Sequence, residues 1–318
     1  MVSEGPVDVL PLAVATRLAH VLVHEVGAAK RARVLSIKGP VNLHYELTPP
    51  YSPSDADVLV SPDDFEVVKE ALLERGWVER DSDDDLPRMM RAHAVTLINP
   101  EWPCDIDLHN SFPGLLVAPA TAFDALWERR TAMECAGVDI TVPDYDGAFI
   151  LCLLHAYRDR HEWSKRNLIQ SLLAIGDAGP FFDRTKGGLP ELTVRTGASV
   201  AMRDLLASRI EGIDGPTPPI DEDLLLAWRV RVSAGIGMLP PILWTALSGR
   251  PLVAARMFAV ALSHRVEHAG MNERPTVRTI VAGLLPSVRR APGVVFRTIA
   301  ELRAVALERR RRRGRRNA

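Results

Sequence analysis

Two apolar runs, DADVLV at residues 55–60 and DIDLH at 105–109, each carry a pair of acids spaced two apart. In an extended chain residues i and i+2 project to the same face. Asp55 and Asp57 therefore point one way, and so do Asp105, Asp107 and His109. If the two strands are neighbours, four carboxylates converge on one patch. Like charges at that spacing raise one another's pKa and resist ionising together. A divalent cation removes the penalty: Mg²⁺ takes one or two protein carboxylates, some waters and substrate phosphate oxygens. Ions held this way activate an attacking oxygen and stabilise a leaving pyrophosphate. The plainer reading, acids at strand ends that face water, stays open.

The rest of the first 110 residues fits a small sheet. Apolar residues at helical spacing predict a helix over 7–27, with Gly27 as its stop. RVLSIKGP reads as a short buried strand over 34–37, ended by Gly39 and Pro40, and VNLHYEL as one or two helical turns. After the proline-rich TPPYSPS comes the strand DADVLV, then a helix that Pro62 starts and Gly76 ends. WVER, an acidic loop DSDDD at 81–85, RMMRAHAVTLI and CDIDLHN continue as antiparallel strands. GVDITVP at 137–143 is a strand or extended link, and from Asp144 onward the pattern is helical. The predicted class is α+β: a small mixed sheet with helices over 1–143, a mainly helical domain over 144–308 and a basic tail over 309–318.

Composition narrows the classes. The chain has 318 residues, 47% hydrophobic and 25% charged, so a buried core is expected and disorder is not. Seven of its arginines lie between Arg309 and Arg316, and setting them aside turns the net charge of -1 into -8. That run reads as a mobile solvated tail, or as a contact for RNA or an anionic membrane. Three cysteines without paired spacing point to neither a disulfide framework nor a cysteine zinc site, and fit the cytoplasm. The acidic N-terminus does not read as a signal peptide. The apolar window 230–248 is interrupted by Pro240 and Pro241, which argues against a membrane span.

The segments IKGPVNLHYEL, SDADVLV, LLERGWV and DIDLHNSF resemble the uncharacterised nucleotidyltransferases, a family of the polymerase-beta-type minimal nucleotidyltransferase fold. The resemblance covers residues 30–115, and LLHAYRDRHEWSKRNL is similar to the helices that follow. It implies a magnesium- or manganese-dependent enzyme that moves an NMP group from an NTP to a hydroxyl acceptor and releases pyrophosphate. The acceptor would be a small molecule, a protein or an RNA end. Asp55 and Asp57 match the metal-binding pair, and Asp107 the third carboxylate that helps deprotonate the acceptor. Gly39 matches the small residue beside the triphosphate, with Lys38 before it.

This chain departs from the family pattern where Pro40 follows the glycine and removes a backbone N–H, where no arginine precedes Asp55, and where Gln170 replaces an acid. An impaired pseudoenzyme that binds nucleotide or a partner is the alternative reading. Lys165 and Arg166 are candidate phosphate contacts, while Trp163 reads as core and His155 and Tyr157 as structural. His109 is an auxiliary candidate, able to hydrogen-bond an acid or the nucleotide, or simply structural. Asp105, at the strand entrance, is expected to be peripheral. On charge repulsion alone, Asp57→Asn is expected to leave the fold at least as stable.

Overall fold

The computed structural model describes residues 10–80, 93–177, 188–206 and 218–234, with isolated helical positions between 242 and 303. The acidic loop at 81–85, most of the window 230–248 and the arginine tail lie outside the described residues.

The first helix, α1 (Leu12–Lys30), packs small and β-branched residues, Ala15, Ala19, Val23 and Val26, onto a sheet. Strand β1 (Val34–Ser36) follows, then the short α2 (Gly39–His44), β2 (Asp55–Val60) and α3 (Phe65–Leu73). Three more strands, β3 (Val78–Glu79), β4 (Ala94–Ile98) and β5 (Asp105–His109), complete a five-stranded sheet of order β1-β2-β5-β4-β3. β2 and β5 pair in parallel, and every other pairing is antiparallel.

The alternation within β2 and β5 sorts the two faces. Ala56, Val58, Val60, Ile106 and Leu108 join Phe65, Val68, Ala71 and Leu72 of α3 and the sheet-facing residues of α1 in one core. A Val or Leu side chain fully buried there contributes about 1.5–3 kcal/mol. The acids stand on the opposite face.

Gly27 does not end the first helix. α1 runs on to Lys30, and Arg31 closes it in the left-handed conformation at φ 57°. A Cβ at Gly27 would stand 3.0 Å from Val34 Cγ2, so the missing side chain lets helix and strand approach. Gly76 does close α3, at φ 86°.

After α4 (Pro119–Glu128) the strand expected at 137–142 has a partner that the sequence did not reveal. β6 (Thr131–Cys135) and β7 (Val138–Val142) form an antiparallel hairpin around Ala136 and Gly137, at φ 51° and 81°. Only Met133 and Cys135 of β6 are buried, so its sequence carries little apolar signal. From α5 (Tyr145–Arg158) and α6 (Trp163–Asp177) onward every described element is a helix. One compact unit takes in Met1–Ser82, Ala92–Tyr157 and Glu162–Asp221; a second takes in Asp83–Arg91, Arg158–His161 and Glu222–Ala318.

Between α1 and β1 lies a polar seam. Ser36 Oγ sits 2.8 Å from His20 Nδ1 and 3.0 Å from His24 Nε2. Burial lowers the His20 pKa to about 4 against the attraction of Asp57, and burial with repulsion from His20 lowers His24 to about 3. Both imidazoles are thus neutral in the folded protein at pH 7. Between these folded values and the ordinary 6.5 the unfolded chain binds more protons, so stability is lost as pH falls through that window. The slope reaches about 1.4 kcal/mol per pH unit for each histidine. We expect urea unfolding at pH 7, 6 and 5 to show this decline, and His24→Gln to make it shallower by about one histidine's share. An unchanged slope in the variant would mean that His24 is charged in the fold.

Candidate active site

The parallel register decides which acids meet. Asp55 stands opposite Asp105, Asp57 opposite Asp107 and Leu59 opposite His109. Because parallel partners in register share a face, all four carboxylates and the imidazole project from the side away from α1 and α3.

Asp57 is the centre of the group, with 4% of its surface exposed. The Lys38 ammonium forms an ion pair with its Oδ1, and His109 Nε2 lies 2.8 Å from the same oxygen. Next to it, Thr96 on β4 donates its hydroxyl to Asp107 Oδ1 at 2.6 Å. Phe112 floors the pocket of charge, its ring centroid 5.8 Å from Lys38 Nζ and 6.1 Å from that of His109. Lys38 reaches Asp57 from a tight turn in which it and Gly39 both take positive φ, 56° and 33°. For a lysine that conformation is strained, and its location beside the acids is where strain is commonly retained.

The charges do not balance. Burial alone would raise the Asp57 carboxyl, but the Lys38 ammonium and the His109 hydrogen bond outweigh it and hold the group well below the usual carboxylate range. Asp55 behaves oppositely: burial, then Asp57 and Asp107, push it up to about 6 despite Lys38. Among the described residues it is the Lys38 ammonium that acts on both Asp57 and Asp55.

A divalent cation fits that deficit and the hard oxygen donors around it. Ligand atoms of Asp57, Asp107 and His109 all lie within 4.8 Å of one another, close enough to hold one ion. His109 uses Nε2 on Asp57, so as placed it orients that carboxylate, in the manner of residues that hold metal ligands in position. The Lys38–Asp57 pair also reverses the stability expectation for Asp57→Asn: removing the carboxylate loses an attraction and strands a lysine whose side chain is 13% exposed.

The other sequence candidates have separate surroundings. Asp105 is bound at the surface by Arg80 at 2.8 Å, away from the Asp57 cluster. Lys165, on α6, donates to His155 Nε2 at 2.9 Å. Arg166 is on the same helix and exposed. Trp163 is 71% exposed rather than core, because α6 buries the face that carries Ile169 and Leu172.

Two neighbours of the acids went unnoticed in the sequence. Thr96 looked like one more strand residue. Tyr51, in TPPYSPS, has its phenol pushed up to about 12 by burial and by Asp57, Cys152 and Asp55, so it stands near the acid pair while remaining 48% exposed. An aromatic residue in a proline-rich lead-in to an Asp-x-Asp strand was the available signal.

Comparison with known proteins gives the following. The solved structures to which the chain is similar include the following three, each with a TM-score below 0.5. The antibiotic-resistance factor ANT(2'')-Ia is 9% identical over 61% of this chain and 95% of its own, with a TM-score of 0.38. A nucleotidyltransferase-like antigenic protein from Paracoccidioides brasiliensis is 11% identical over 65% and 94%, with a TM-score of 0.33. A tRNA nucleotidyltransferase, solved with a primer tRNA and an incoming ATP analogue, is 12% identical over 93% and 100%, with a TM-score of 0.26. No curated protein matches the sequence. The family model described as "uncharacterised nucleotidyltransferase" matches residues 14–176, from the first turn of α1 to the end of α6 and just over half of the chain. The chain belongs to the uncharacterised nucleotidyltransferase family.

Proposed function

We propose that this nucleotidyltransferase moves an NMP group from an NTP to a hydroxyl acceptor, releasing pyrophosphate, with Mg²⁺ or Mn²⁺ held by Asp55, Asp57 and Asp107. The observation that carries the reading is the in-register pairing of Asp57 with Asp107 beside the Lys38–Gly39 turn. A divalent cation bound there offsets the charge of carboxylates and phosphates and polarises the phosphoryl group under attack.

The side chains have separate tasks in this scheme. Lys38 would exchange Asp57 for triphosphate oxygens, which frees the Asp57 carboxylate to hold a cation together with Asp55 and Asp107. His109 keeps Asp57 aimed, and Thr96 pins one Asp107 oxygen. The free oxygen of Asp107 takes the proton of the acceptor hydroxyl. The acceptor oxygen then bonds to the α-phosphorus as the bond to the β-phosphate bridging oxygen breaks, and pyrophosphate leaves with that electron pair. Lys165 and Arg166 meet the phosphates from α6. The acceptor is a small molecule, a protein side chain or an RNA 3′ end, and the buried, unpaired Cys104, Cys135 and Cys152 support a cytoplasmic setting.

The direct test incubates the purified protein with each of four α-labelled NTPs, Mg²⁺ or Mn²⁺ and a cell extract as acceptor source. Pyrophosphate release with label transfer, both abolished by EDTA, is expected for at least one NTP. No release and no transfer with any of them would leave the pseudoenzyme reading in its place.

Two substitutions of adjacent acids should part in stability while agreeing in activity. Both Asp55→Asn and Asp57→Asn are expected to cut transfer by more than about 100-fold. Asp57→Asn should also lose about 3 kcal/mol of stability, since it breaks a buried ion pair. Asp55→Asn should melt no lower than the parent, because the charge it removes is already disfavoured. Equal melting shifts would contradict the charge balance derived above.

On β5 the two acids separate in the other sense. Asp107→Asn is expected to be inactive, whereas Asp105→Asn, which loses only an exposed pair with Arg80, should stay within about threefold of the parent. Saturating Mg²⁺ in both assays keeps metal affinity from masking the difference. If Asp105 proved essential and Asp107 dispensable, the third carboxylate would have to be reassigned.

A further inference from the structure

The polar seam under the sheet is a directed chain of hydrogen bonds, and it ends at the catalytic turn. The backbone N–H of Thr141 on β7 approaches His24 Nδ1 at 3.4 Å, so that nitrogen is the acceptor and His24 carries its proton on Nε2. Nε2–H donates to Ser36 Oγ at 3.0 Å, which leaves the hydroxyl proton of Ser36 to donate to His20 Nδ1 at 2.8 Å. His20 therefore holds its own proton on Nε2.

Among the described residues that last N–H has no acceptor: His20 is fully buried and its Nε2 has no hydrogen-bond partner there. It lies 3.8 Å from the point where a Cβ on Gly39 would stand, directly under the turn that carries Lys38. A buried N–H left unpaired costs stability that an apolar side chain of similar shape would not. A group of this kind in a native structure calls for a state in which it is satisfied.

The turn is the element with reason to change. Lys38 and Gly39 both have positive φ, and Lys38 is held on Asp57. A triphosphate that draws the ammonium off the carboxylate removes the contact that holds this turn on Asp57. Gly39 has no side chain to screen its peptides, and His20 Nε2 is 3.8 Å from the place a Cβ would take there.

We propose that His20 is a positioning residue of the nucleotidyl-transfer reaction: its Nε2–H donates to a backbone carbonyl of the Lys38–Gly39 turn in the nucleotide-bound form, with the proton directed there by Thr141, His24 and Ser36. The inference rests on the reading of this site as one that binds NTP. The hairpin β6–β7 is then part of the machinery, because its amide sets the tautomer of the whole chain. Ser36 is indispensable to the relay in a way that Ala is not, since its hydroxyl accepts from one histidine and donates to the other.

The test uses the full-length protein labelled with ¹⁵N in its histidine rings. In the free protein His20 and His24 should both give the Nε2–H tautomer, and Ser36→Ala should abolish that preference at His20. Addition of the tightest-binding of the four Mg–NTPs should move the His20 Nε2–H proton downfield and slow its exchange with water. By calorimetry, His20→Leu should weaken that NTP about tenfold, and His20→Gln, whose amide restores a donor near Nε2, should recover most of the loss. NTP binding that leaves the His20 signal unmoved, or His20→Leu binding as the parent does, overturns the proposal and leaves the nucleotidyltransferase reading intact. No calorimetric binding of any Mg–NTP by the parent overturns both. If His20→Leu fails to fold, the titration of the unsubstituted protein decides alone.

Discussion

The parallel pairing of β2 with β5 is the contact on which the rest depends. Its register sets Asp57 against Asp107 and brings Leu59 level with His109. A slip of one residue would turn the acids of one strand into the core with α1 and α3, where nothing could neutralise them. The apolar halves of the same strands resist that slip: Ala56, Val58, Ile106 and Leu108 are fully buried on the far face. The hydrophobic pattern that holds the sheet together is thus also what aims its charges.

The electrostatics of the acid face follow from that placement. The Lys38 ammonium chooses Asp57, where the His109 hydrogen bond reinforces it, and leaves Asp55 to bear the repulsion of its neighbours. Such an arrangement stores an affinity for positive charge that one lysine does not exhaust. The lysine itself sits on a turn with two consecutive positive φ values. In the nucleotidyl-transfer function proposed above, Lys38 stands where a cation and a triphosphate would meet.

The two faces of the sheet communicate at β1. Ser36 belongs to the core side and links α1 to the turn that follows, while that turn delivers Lys38 to the acid side. A polar seam inside an apolar interface is costly unless its members are paired, and here all the pairing is satisfied except at the end nearest the turn. Structure and chemistry therefore converge on residues 36–39, four residues that run from the last position of a core strand to the first of a six-residue helix.

Much of this was legible in the residues themselves. Period-two alternation in DADVLV and DIDLH gave the strands and the facing of the acids, and Gly76 and the proline-flanked turns gave boundaries, because these are local steric facts. Where a signal had two physical meanings the sequence misled: Gly27 serves close packing rather than a helix end, and Trp163 is outside because another face of its helix found the core. β6 was missed because only two of its five residues are buried. The strand neighbours, the choice of Asp57 over Asp55 by Lys38, the sign of the Asp57→Asn effect and the His24–Ser36–His20 chain all join residues well apart along the chain, 12 positions for His24 and Ser36, 19 for Lys38 and Asp57 and 117 for His24 and Thr141. No local pattern encodes such pairings, since the energy of a charge or a donor depends on what the fold brings within a few ångströms of it. The chain by itself determined which residues could carry this chemistry; the tertiary structure decided which of them meet, and with what charge.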